Sequence, residues 1–188
     1  MADISLAATP ALGGFRREFS NCSLAERNDI ALISVAIPRD GETALSAKLD
    51  KTWALALPRS TTTAQANGLR AIPLTADQFL LAFAPDANRT EASVQVDLAS
   101  VSYTTVQTDA WVILELSGKG ATAALERICP IDLDVTGFPS GSSARTVMEH
   151  LGAIIVRLDD DRFWLMSARS SAASFLHAVE TSCSWTAS

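Results

Sequence analysis

The chain has 188 residues, enough for one large domain or two small packed lobes that need no disulfide or metal support. Its 15 Lys and Arg residues stand against 21 Asp and Glu residues, a formal net charge of −6. An acidic chain without a basic cluster is repelled by phosphate backbones, which argues against a nucleic-acid partner. Charged residues make up only 19% and hydrophobic residues 48%. A large buried interface with other subunits would account for this balance, and so would an alanine-rich core.

The N-terminus has no basic region, and Pro10 with Gly13-Gly14 interrupts its short apolar stretch. It therefore does not resemble a signal peptide, and no apolar run approaches the ~20 residues that cross a bilayer. We expect a cytoplasmic protein with no membrane partner. The three cysteines, Cys22, Cys129 and Cys183, have neither metal-ligand spacing nor an even disulfide framework, so we expect reduced and mostly buried thiols.

The first half is predicted to begin with an arm and to continue as alternating strands and helices. Residues 1–29 show neither helical nor strand periodicity, and we interpret them as an extended arm that wraps a partner or is partly disordered. The elements predicted next are a buried strand over 30–37, a helix over 41–49 with Asp40 as N-cap, a strand over 53–57, a polar loop over 59–68, a hairpin of 69–74 with 79–84, and a helix over 90–98 with Thr90 as N-cap.

The second half has a similar order of elements. A strand over 110–116 carries Trp111, Ile113 and Glu115 on one face. The elements predicted after it are a helix over 120–128 ended by Pro130, an irregular stretch over 131–143, a hairpin of 146–158 with 163–168 around a turn at 159–161, and a helix over 170–181.

The two halves match at an offset of 82 residues, where residues 69–72 align with residues 151–154. In both halves a turn, a Phe-containing strand and a helix follow. The sequence therefore predicts an α+β fold of two pseudo-repeated lobes, 30–108 and 109–188, packed as one compact unit. Each lobe is expected to have an antiparallel sheet with helices on one face.

Two polar motifs suggest chemistry at first sight. Gly118-Lys119-Gly120 precedes a predicted helix but lacks both nucleotide-binding glycine patterns, so a tight strand-to-helix turn is favoured. Asp159-Asp160-Asp161 lacks the glycine and the later glutamate of a calcium loop, and it is expected to be a polar turn. We predict no metal site.

The two histidines, His150 and His177, have no neighbouring nucleophile or carboxylate in a recognised arrangement, and no GxSxG motif occurs. We expect both to be packed or surface residues. We predict structural ion pairs or subunit contacts for Arg145, Arg157 and Arg169, with Asp132 and Asp134 as partners. The tryptophans are Trp53, Trp111, Trp164 and Trp185; most are expected in the core, and one or two as interface anchors.

Four segments of the second half resemble the γ subunit of heterotetrameric sarcosine oxidase. They are Thr108-Asp109-Ala110-Trp111-Val112-Ile113-Leu114-Glu115-Leu116-Ser117-Gly118, Cys129-Pro130-Ile131-Asp132-Leu133, Phe138-Pro139-Ser140-Gly141-Ser142-Ser143-Ala144-Arg145-Thr146 and Phe163-Trp164-Leu165-Met166-Ser167-Ala168-Arg169-Ser170-Ser171-Ala172-Ala173-Ser174-Phe175. The resemblance covers about residues 105–180, in order and with similar spacing. The first half fits only in length and pattern.

This resemblance implies a reduced form of the folate-binding aminomethyltransferase fold and a place in an αβγδ assembly. Such an assembly oxidises sarcosine to glycine, releases hydrogen peroxide, and yields formaldehyde or methylene-tetrahydrofolate. FAD, FMN, NAD, tetrahydrofolate and zinc are implied on the partner α, β and δ subunits. No catalytic, cofactor or metal residue is ascribed to γ, so this chain is expected to be a non-catalytic structural subunit without a bound cofactor.

We expect the partner-facing surface in stretches 131–145 and 168–176. The residues assigned to it are Phe138, Pro139, Arg145, Arg169, Ser170 and Phe175. Two alternatives remain open. One is a stand-alone folate-binding one-carbon transfer protein, with Asp109 or Glu115 as the acidic residue that holds the pterin. The other is the same subunit role in a complex that demethylates another N-methyl amine or a betaine.

Overall fold

The structure, a computed structural model, describes residues 9–187, so the first eight residues of the predicted arm lie outside the described residues. The strands in this range are β1 Arg16–Glu18, β2 Ser23–Glu26, β3 Ala31–Ala36, β4 Ala64–Ala66, β5 Leu69–Thr75, β6 Gln78–Phe83, β7 Tyr103–Val106, β8 Trp111–Ser117, β9 Ser143–Met148, β10 Leu151–Asp159 and β11 Arg162–Ala168. The helices are α1 Glu42–Trp53, α2 Glu91–Leu98, α3 Ala121–Glu126 and α4 Ala172–Thr186. None of these helices is long and apolar enough to cross a membrane.

The strands form two sheets in which every pairing is antiparallel. The first sheet has the order β4-β5-β6-β3-β7, and the second sheet has the order β1-β2-β8-β11-β10-β9. The predicted α+β class with antiparallel sheets is confirmed.

Both faces of each sheet are buried, because successive side chains of a strand point to opposite faces. One face of the first sheet packs on α1 and α2, for example through Ile33 against Leu49. One face of the second sheet packs on α3 and α4, where Leu114 and Phe175 share a cluster. The remaining two faces pack on each other through residues such as Leu32 and Ile113. The result is four layers, helices–sheet–sheet–helices.

The predicted pseudo-repeat is visible in the topology. The first unit runs β3-α1-β4-β5-β6-α2, and the second runs β8-α3-β9-β10-β11-α4. Within the sheets, the order β4-β5-β6-β3-β7 corresponds position by position to β9-β10-β11-β8-β2. Strands β7 and β2 are therefore equivalent in place, although β2 comes from the N-terminal segment. Strand β1 lies one position further out.

The prediction of an extended arm over 1–29 is wrong for its described part. Strand β2 pairs with β8, with Leu24 opposite Leu116, and β1 pairs with β2. The side chain of Leu24 is fully buried. Strands of three and four residues are too short to show a periodicity, which explains the error. The second sheet thus takes strands from both ends of the chain.

Helix α1 is longer than predicted and replaces the strand expected over 53–57. Leu45, Leu49 and Trp53 are buried and recur at every fourth position, so they form one continuous apolar stripe. Ala54 ends the helix in the left-handed conformation, with φ 52°. The N-cap is Gly41 and not Asp40. The polar loop predicted over 59–68 contains β4, whose three residues pair with β5.

The single long strand predicted over 146–158 is two strands, β9 and β10. Glu149 and His150 form the turn between them with φ 45° and 70°. Such turns usually carry glycine or asparagine, so these residues gave no turn signal. The hairpin of β5 and β6 and helix α2 are confirmed; Thr90 and Ser93 form a capping box at the start of α2.

The two halves are joined by main-chain hydrogen bonds between residues 61–63 and 141–143. The Ser143 N–H donates to the Thr61 carbonyl oxygen at 2.9 Å, and the Thr63 N–H donates to the Gly141 carbonyl oxygen at 2.8 Å. A bridge between Thr62 and Ser142 lies between them. Together with the buried layer between the sheets, these bonds make the two lobes one unit.

Candidate functional site

The two glycines before α3 allow a close approach of the N-terminal segment. Gly118 has φ +113°, and a Cβ there would lie 2.7 Å from the Asn21 carbonyl oxygen. A Cβ on Gly120 would overlap the Asn21 side chain. The Gly120 N–H donates to the Asn21 carbonyl oxygen at 3.0 Å. The predicted tight turn is confirmed, and these glycines are needed for packing.

The acidic run 159–161 lies at the turn between β10 and β11, as predicted. Asp159 forms an ion pair of 2.9 Å with Arg162, and its side chain also accepts from the Asp161 N–H. Within residues 9–187, no group of three or more His, Cys, Asp or Glu side chains is placed to hold a metal ion.

Both histidines are at the surface, His150 in the turn after β9 and His177 on the outer face of α4. The three cysteines are free and buried, as predicted. Burial, together with the neighbouring Cys22, raises the pKa of the Cys183 thiol to about 12. Since the thiolate is the reactive form, this thiol is not an activated nucleophile.

Polar residues surround Trp164 of β11 on the side of the second sheet that faces the first, and we call them the inter-sheet cluster: Arg27, Asp29, Arg70, Glu115 and Trp164. Glu115 Oε2 accepts from Arg27 Nη1 at 2.5 Å and from Trp164 Nε1 at 2.9 Å. Arg27 Nε also donates to Asp29 Oδ1 at 2.8 Å. The guanidinium groups of Arg27 and Arg70 lie 5.6 and 5.8 Å from the centre of the Trp164 ring, within cation–π range.

These contacts shift the pKa values of two groups in the cluster, Arg27 and Asp29. The hydrogen bond to Asp29 is the main cause of a raised pKa of Arg27, with Glu115 contributing further. The same bond lowers the pKa of Asp29. Both groups are therefore held in their charged forms. A fixed network of one arginine and two carboxylates is suited to holding the segment after β2 against the second sheet and not to moving a proton.

Arg70 reaches the cluster from the first sheet and has no carboxylate partner among the described residues. Its N–H groups donate to Thr63 Oγ1 at 3.0 Å and to Gln65 Oε1. Burial, followed by repulsion from Arg162, lowers the pKa of Arg70. Arg70 and Arg162 line a cleft of about 210 Å³. Such a cleft can recognise a small anion, and it contains no nucleophile paired with a base.

Both residues considered for a pterin line clefts, of about 210 Å³ for Glu115 and about 380 Å³ for Asp109, and each carboxylate lies beside an arginine. Glu115 is held by Arg27 and Trp164. Asp109 is exposed, 3.9 Å from Arg169. Sequence reasoning named Glu115 but missed Arg27 and Arg70, because these residues are far from it in the chain and no local motif links them.

The structure separates the six residues predicted to face a partner into two groups. Phe138 and Phe175 are buried in the core between the second sheet and its helices, so their assignment to a partner surface is wrong. Both aromatic rings stabilise the fold by the apolar surface that they bury in this core. Pro139, Arg145 and Ser170 are exposed, and their role remains a prediction. Arg169 is half-buried and donates to the Thr9 carbonyl oxygen at 2.6 Å.

Arg157 does not make the ion pair predicted with Asp132 or Asp134. Its side chain is only 4% exposed, and its donors reach four main-chain carbonyl oxygens. Asp132 and Asp134 instead accept main-chain N–H groups two residues further on. The stretch 131–143 has little regular structure, so a buried cation satisfies its carbonyl groups.

The largest exposed aromatic side chain is Trp185 near the end of α4, at 64% exposure. The Arg127 guanidinium lies 4.8 Å from its ring centre. Both residues border a groove of about 370 Å³ between α4, the end of α3 and the turn after β9. Trp53 and Trp164 are buried and Trp111 is half-buried, so Trp185 is the tryptophan that fits the predicted interface anchor.

The four-layer arrangement matches part of an aminomethyltransferase in fold. The structure is similar to glycine cleavage system aminomethyltransferase T from Bartonella henselae, with a TM-score of 0.61 and 17% identity, over 86% of this chain and 46% of that one.

The similarity to a chain of heterotetrameric sarcosine oxidase from Corynebacterium sp. U-96, solved with pyrrole 2-carboxylate, is greater. The TM-score is 0.78 at 18% identity, over 92% of this chain and 88% of that one. No protein-family model and no curated protein sequence matches this chain. The shared feature is therefore the fold.

Proposed function

We propose that this chain is a non-catalytic assembly subunit, of γ type, in a cytoplasmic sarcosine-oxidase-like complex. The observation that carries the proposal is the similarity to a chain of a heterotetrameric sarcosine oxidase over nearly the full length of both chains. By contrast, the chain spans under half of the aminomethyltransferase that shares its fold. A chain with the size and fold of one subunit fits a subunit's role better than that of a whole enzyme.

The polar groups of the chain support a structural role. Glu115, Arg27 and Arg157 are engaged in hydrogen bonds that hold loops and sheets together. The deeply buried Cys183 keeps its proton. The exposed Trp185 beside a groove has the character of an interface anchor.

In this proposal the partners are α, β and δ subunits, and these subunits carry FAD, FMN, NAD, tetrahydrofolate and zinc. The complex oxidises sarcosine to glycine, with formaldehyde or methylene-tetrahydrofolate and hydrogen peroxide as the other products. Since the substrate pocket would lie on another chain, activity of the assembled complex on a panel of N-methyl amines and betaines decides between sarcosine and a related substrate.

The test is co-expression of the tagged full chain with the α, β and δ subunits encoded in the same genome. The expected result is co-elution of this chain with flavin absorbance in one complex on size exclusion. Trp185→Ala is expected to weaken assembly about 30-fold, the effect of losing about 2 kcal/mol at an interface anchor. Trp185→Phe keeps the aromatic contact and should retain most of the binding. A monodisperse monomer that never binds the flavin-containing subunits would refute the proposal.

Calorimetry tests the stand-alone folate-binding alternative. Heat on titration of the isolated chain with tetrahydrofolate, lost in Glu115→Gln, would favour that alternative. No heat at high ligand concentration eliminates it.

A further inference from the structure

The four outer strands of the two sheets differ in how they are protected. Edge strands usually carry charges or proline, because their unpaired main-chain groups attract other strands. Strand β1 consists of two arginines and a glutamate, and β9 carries Arg145. Strand β4 has three residues and continues the segment bonded to residues 141–143. Strand β7, Tyr103–Val106, has no charged residue and no proline.

The pseudo-repeat indicates what is missing beside β7. In the second sheet, the equivalent strand β2 is covered by β1. Among the described residues, the first sheet has no strand at this position, so β7 pairs only with β3. The same fold therefore accommodates a sixth strand at the corresponding place of the other half.

The main-chain groups of β7 are suited to accept such a strand. The Gln107 N–H donates to the Leu32 carbonyl oxygen at 2.7 Å, and paired residues alternate along an antiparallel ladder. Thr105 and Tyr103 therefore bond to β3, whereas the N–H and C=O groups of Thr104 and Val106 point away from it. In agreement, the Gln95 side chain reaches the Thr104 carbonyl oxygen from outside at 3.5 Å.

Exposed apolar side chains flank this edge on both faces of the first sheet, with acidic residues nearby in the chain. Val106 lies opposite Ile33, on the face that packs on the helices, whereas Tyr103 lies opposite Ala36, on the other face. Val96, Tyr103 and Val106 are 77, 74 and 41% exposed. Residues 90–110 contain three acidic residues and no lysine or arginine: Glu91, Asp97 and Asp109. A segment that binds here would gain from an uncharged, β-branched or aromatic centre and from flanking basic residues.

We propose that β7 is a docking edge, to which an extended segment of a partner subunit adds as the sixth strand of the first sheet. The segment has an apolar, uncharged centre with lysine or arginine beside it. This inference rests on the proposed subunit function and specifies one of its contact surfaces.

Proline substitution at an outward-facing N–H tests the proposal within the co-expressed complex. Val106→Pro removes a donor that an added strand needs, and it leaves the bonds from β7 to β3 intact. The matched control is Val147→Pro on edge strand β9. In the ladder of β9 and β10, the Arg157 N–H donates to the Ser142 carbonyl oxygen at 2.9 Å, so Ser142 bonds to β10. Val147, opposite Gly152, is five positions further along, and bonded positions alternate. Its N–H therefore points outward, like that of Val106.

We expect Val106→Pro to weaken assembly with the partner subunits about tenfold, from the lost hydrogen bond and the disturbed register, and Val147→Pro to leave it unchanged. Circular dichroism and urea unfolding of each variant alone should match the wild type. Hydrogen exchange should be slow at the outward-facing amides of Thr104 and Val106 in the complex and faster at the same two amides in the isolated chain.

The outcomes separate the two proposals. If the wild-type chain assembles with the partner subunits and Val106→Pro assembles equally well, the docking edge is overturned and the subunit function is retained. Failure of the wild type to assemble overturns both. A self-association of the isolated chain that Val106→Pro abolishes would assign the edge to a second copy. Slow exchange in the isolated chain that is lost on deleting residues 1–8 would assign it to the N-terminus. Either result overturns the partner strand.

Discussion

Replacement of Arg157 by alanine should destabilise the chain more than any surface substitution. Its guanidinium donates to the carbonyl oxygens of Leu133 and Phe138 at 2.9 Å each, and to that of Asp160 at 2.8 Å. A weaker bond of 3.3 Å reaches the Asp159 carbonyl oxygen. The substitution leaves these acceptors without their donor inside the fold, and the stretch 131–143 loses its anchor to β10.

The magnitude follows from two opposed effects. Each hydrogen bond from a charged donor contributes about 1.5–3 kcal/mol. Against this, the buried guanidinium, 4% exposed, no longer has to be desolvated, and the opened loop regains water. Loss of a buried, bonded charge typically costs about 3–5 kcal/mol, which is our expectation for Arg157→Ala. For a chain of this size it corresponds to a fall of about 6–20 °C in Tm.

Urea unfolding followed by circular dichroism measures this change, and limited proteolysis locates it. New cleavage is expected within residues 131–143. Arg157→Lys should be intermediate, because one ammonium group reaches fewer carbonyl oxygens than a guanidinium. The exposed Arg145→Ala is the control and should change the free energy of unfolding by less than about 0.5 kcal/mol. A loss below about 1 kcal/mol for Arg157→Ala would contradict the assigned role.

Substitutions at three further residues test other contacts. Gly118→Ala should cost about 2–4 kcal/mol in urea unfolding, because φ is +113° and the new Cβ meets the Asn21 carbonyl oxygen; unchanged stability would refute this close approach. The raised pKa of Cys183 means that the unfolded thiol ionises first. Stability should therefore fall as the pH rises between the ordinary thiol pKa, 9.0, and the pKa in the folded chain, about 12. The slope in Cys183→Ala should be shallower by up to about 1.4 kcal/mol per pH unit, and equal slopes would contradict the shift. Glu115→Ala should lower the free energy of unfolding by about 2 kcal/mol, because Trp164 Nε1 loses its acceptor. Glu115→Gln should lose about half as much and keep the tryptophan fluorescence of the native state. Equal losses for the two variants would argue against this hydrogen bond.

Most of the regular structure follows from local patterns in the sequence. The apolar β-branched run of β3 and the alternation in β8 predict these strands, and Thr90 marks the start of α2. The similarity of the two halves predicts the pseudo-repeat. These elements were predictable because their signals depend only on neighbouring residues.

The errors have a different physical origin. Strands β1 and β2 are short, and β8, the strand to which β2 pairs, lies far along the chain, with Leu24 opposite Leu116, so only tertiary pairing reveals them. The turn at Glu149 and His150 uses positive φ at residues that rarely adopt it. Such conformations depend on the surrounding ladder and not on local preference.

The candidate site was harder to predict than the fold. Glu115 was singled out, but its partners, Arg27 just after β2 and Trp164 on β11, become neighbours only when the sheets form. Phe138 and Phe175 show the opposite error. Aromatic residues in a segment that resembles a subunit suggested an interface, yet the core of the second lobe needs them.

The position of β2 between β1 and β8 has a consequence for synthesis on the ribosome. Strands β1 and β2 emerge first but bind the second sheet only after β8 follows, whereas the first sheet is complete once β7 has formed. The N-terminal segment must therefore remain unpaired during much of translation. The N-terminal segment also contacts the end of α4, since Asn21 Nδ2 donates to the Thr186 carbonyl oxygen at 2.8 Å and Ser20 Oγ to that of Ala187 at 2.9 Å. Folding of the second lobe is thus completed only after α4 has been synthesised, and a chain that stops before β11 would expose the edge of β8 to aggregation.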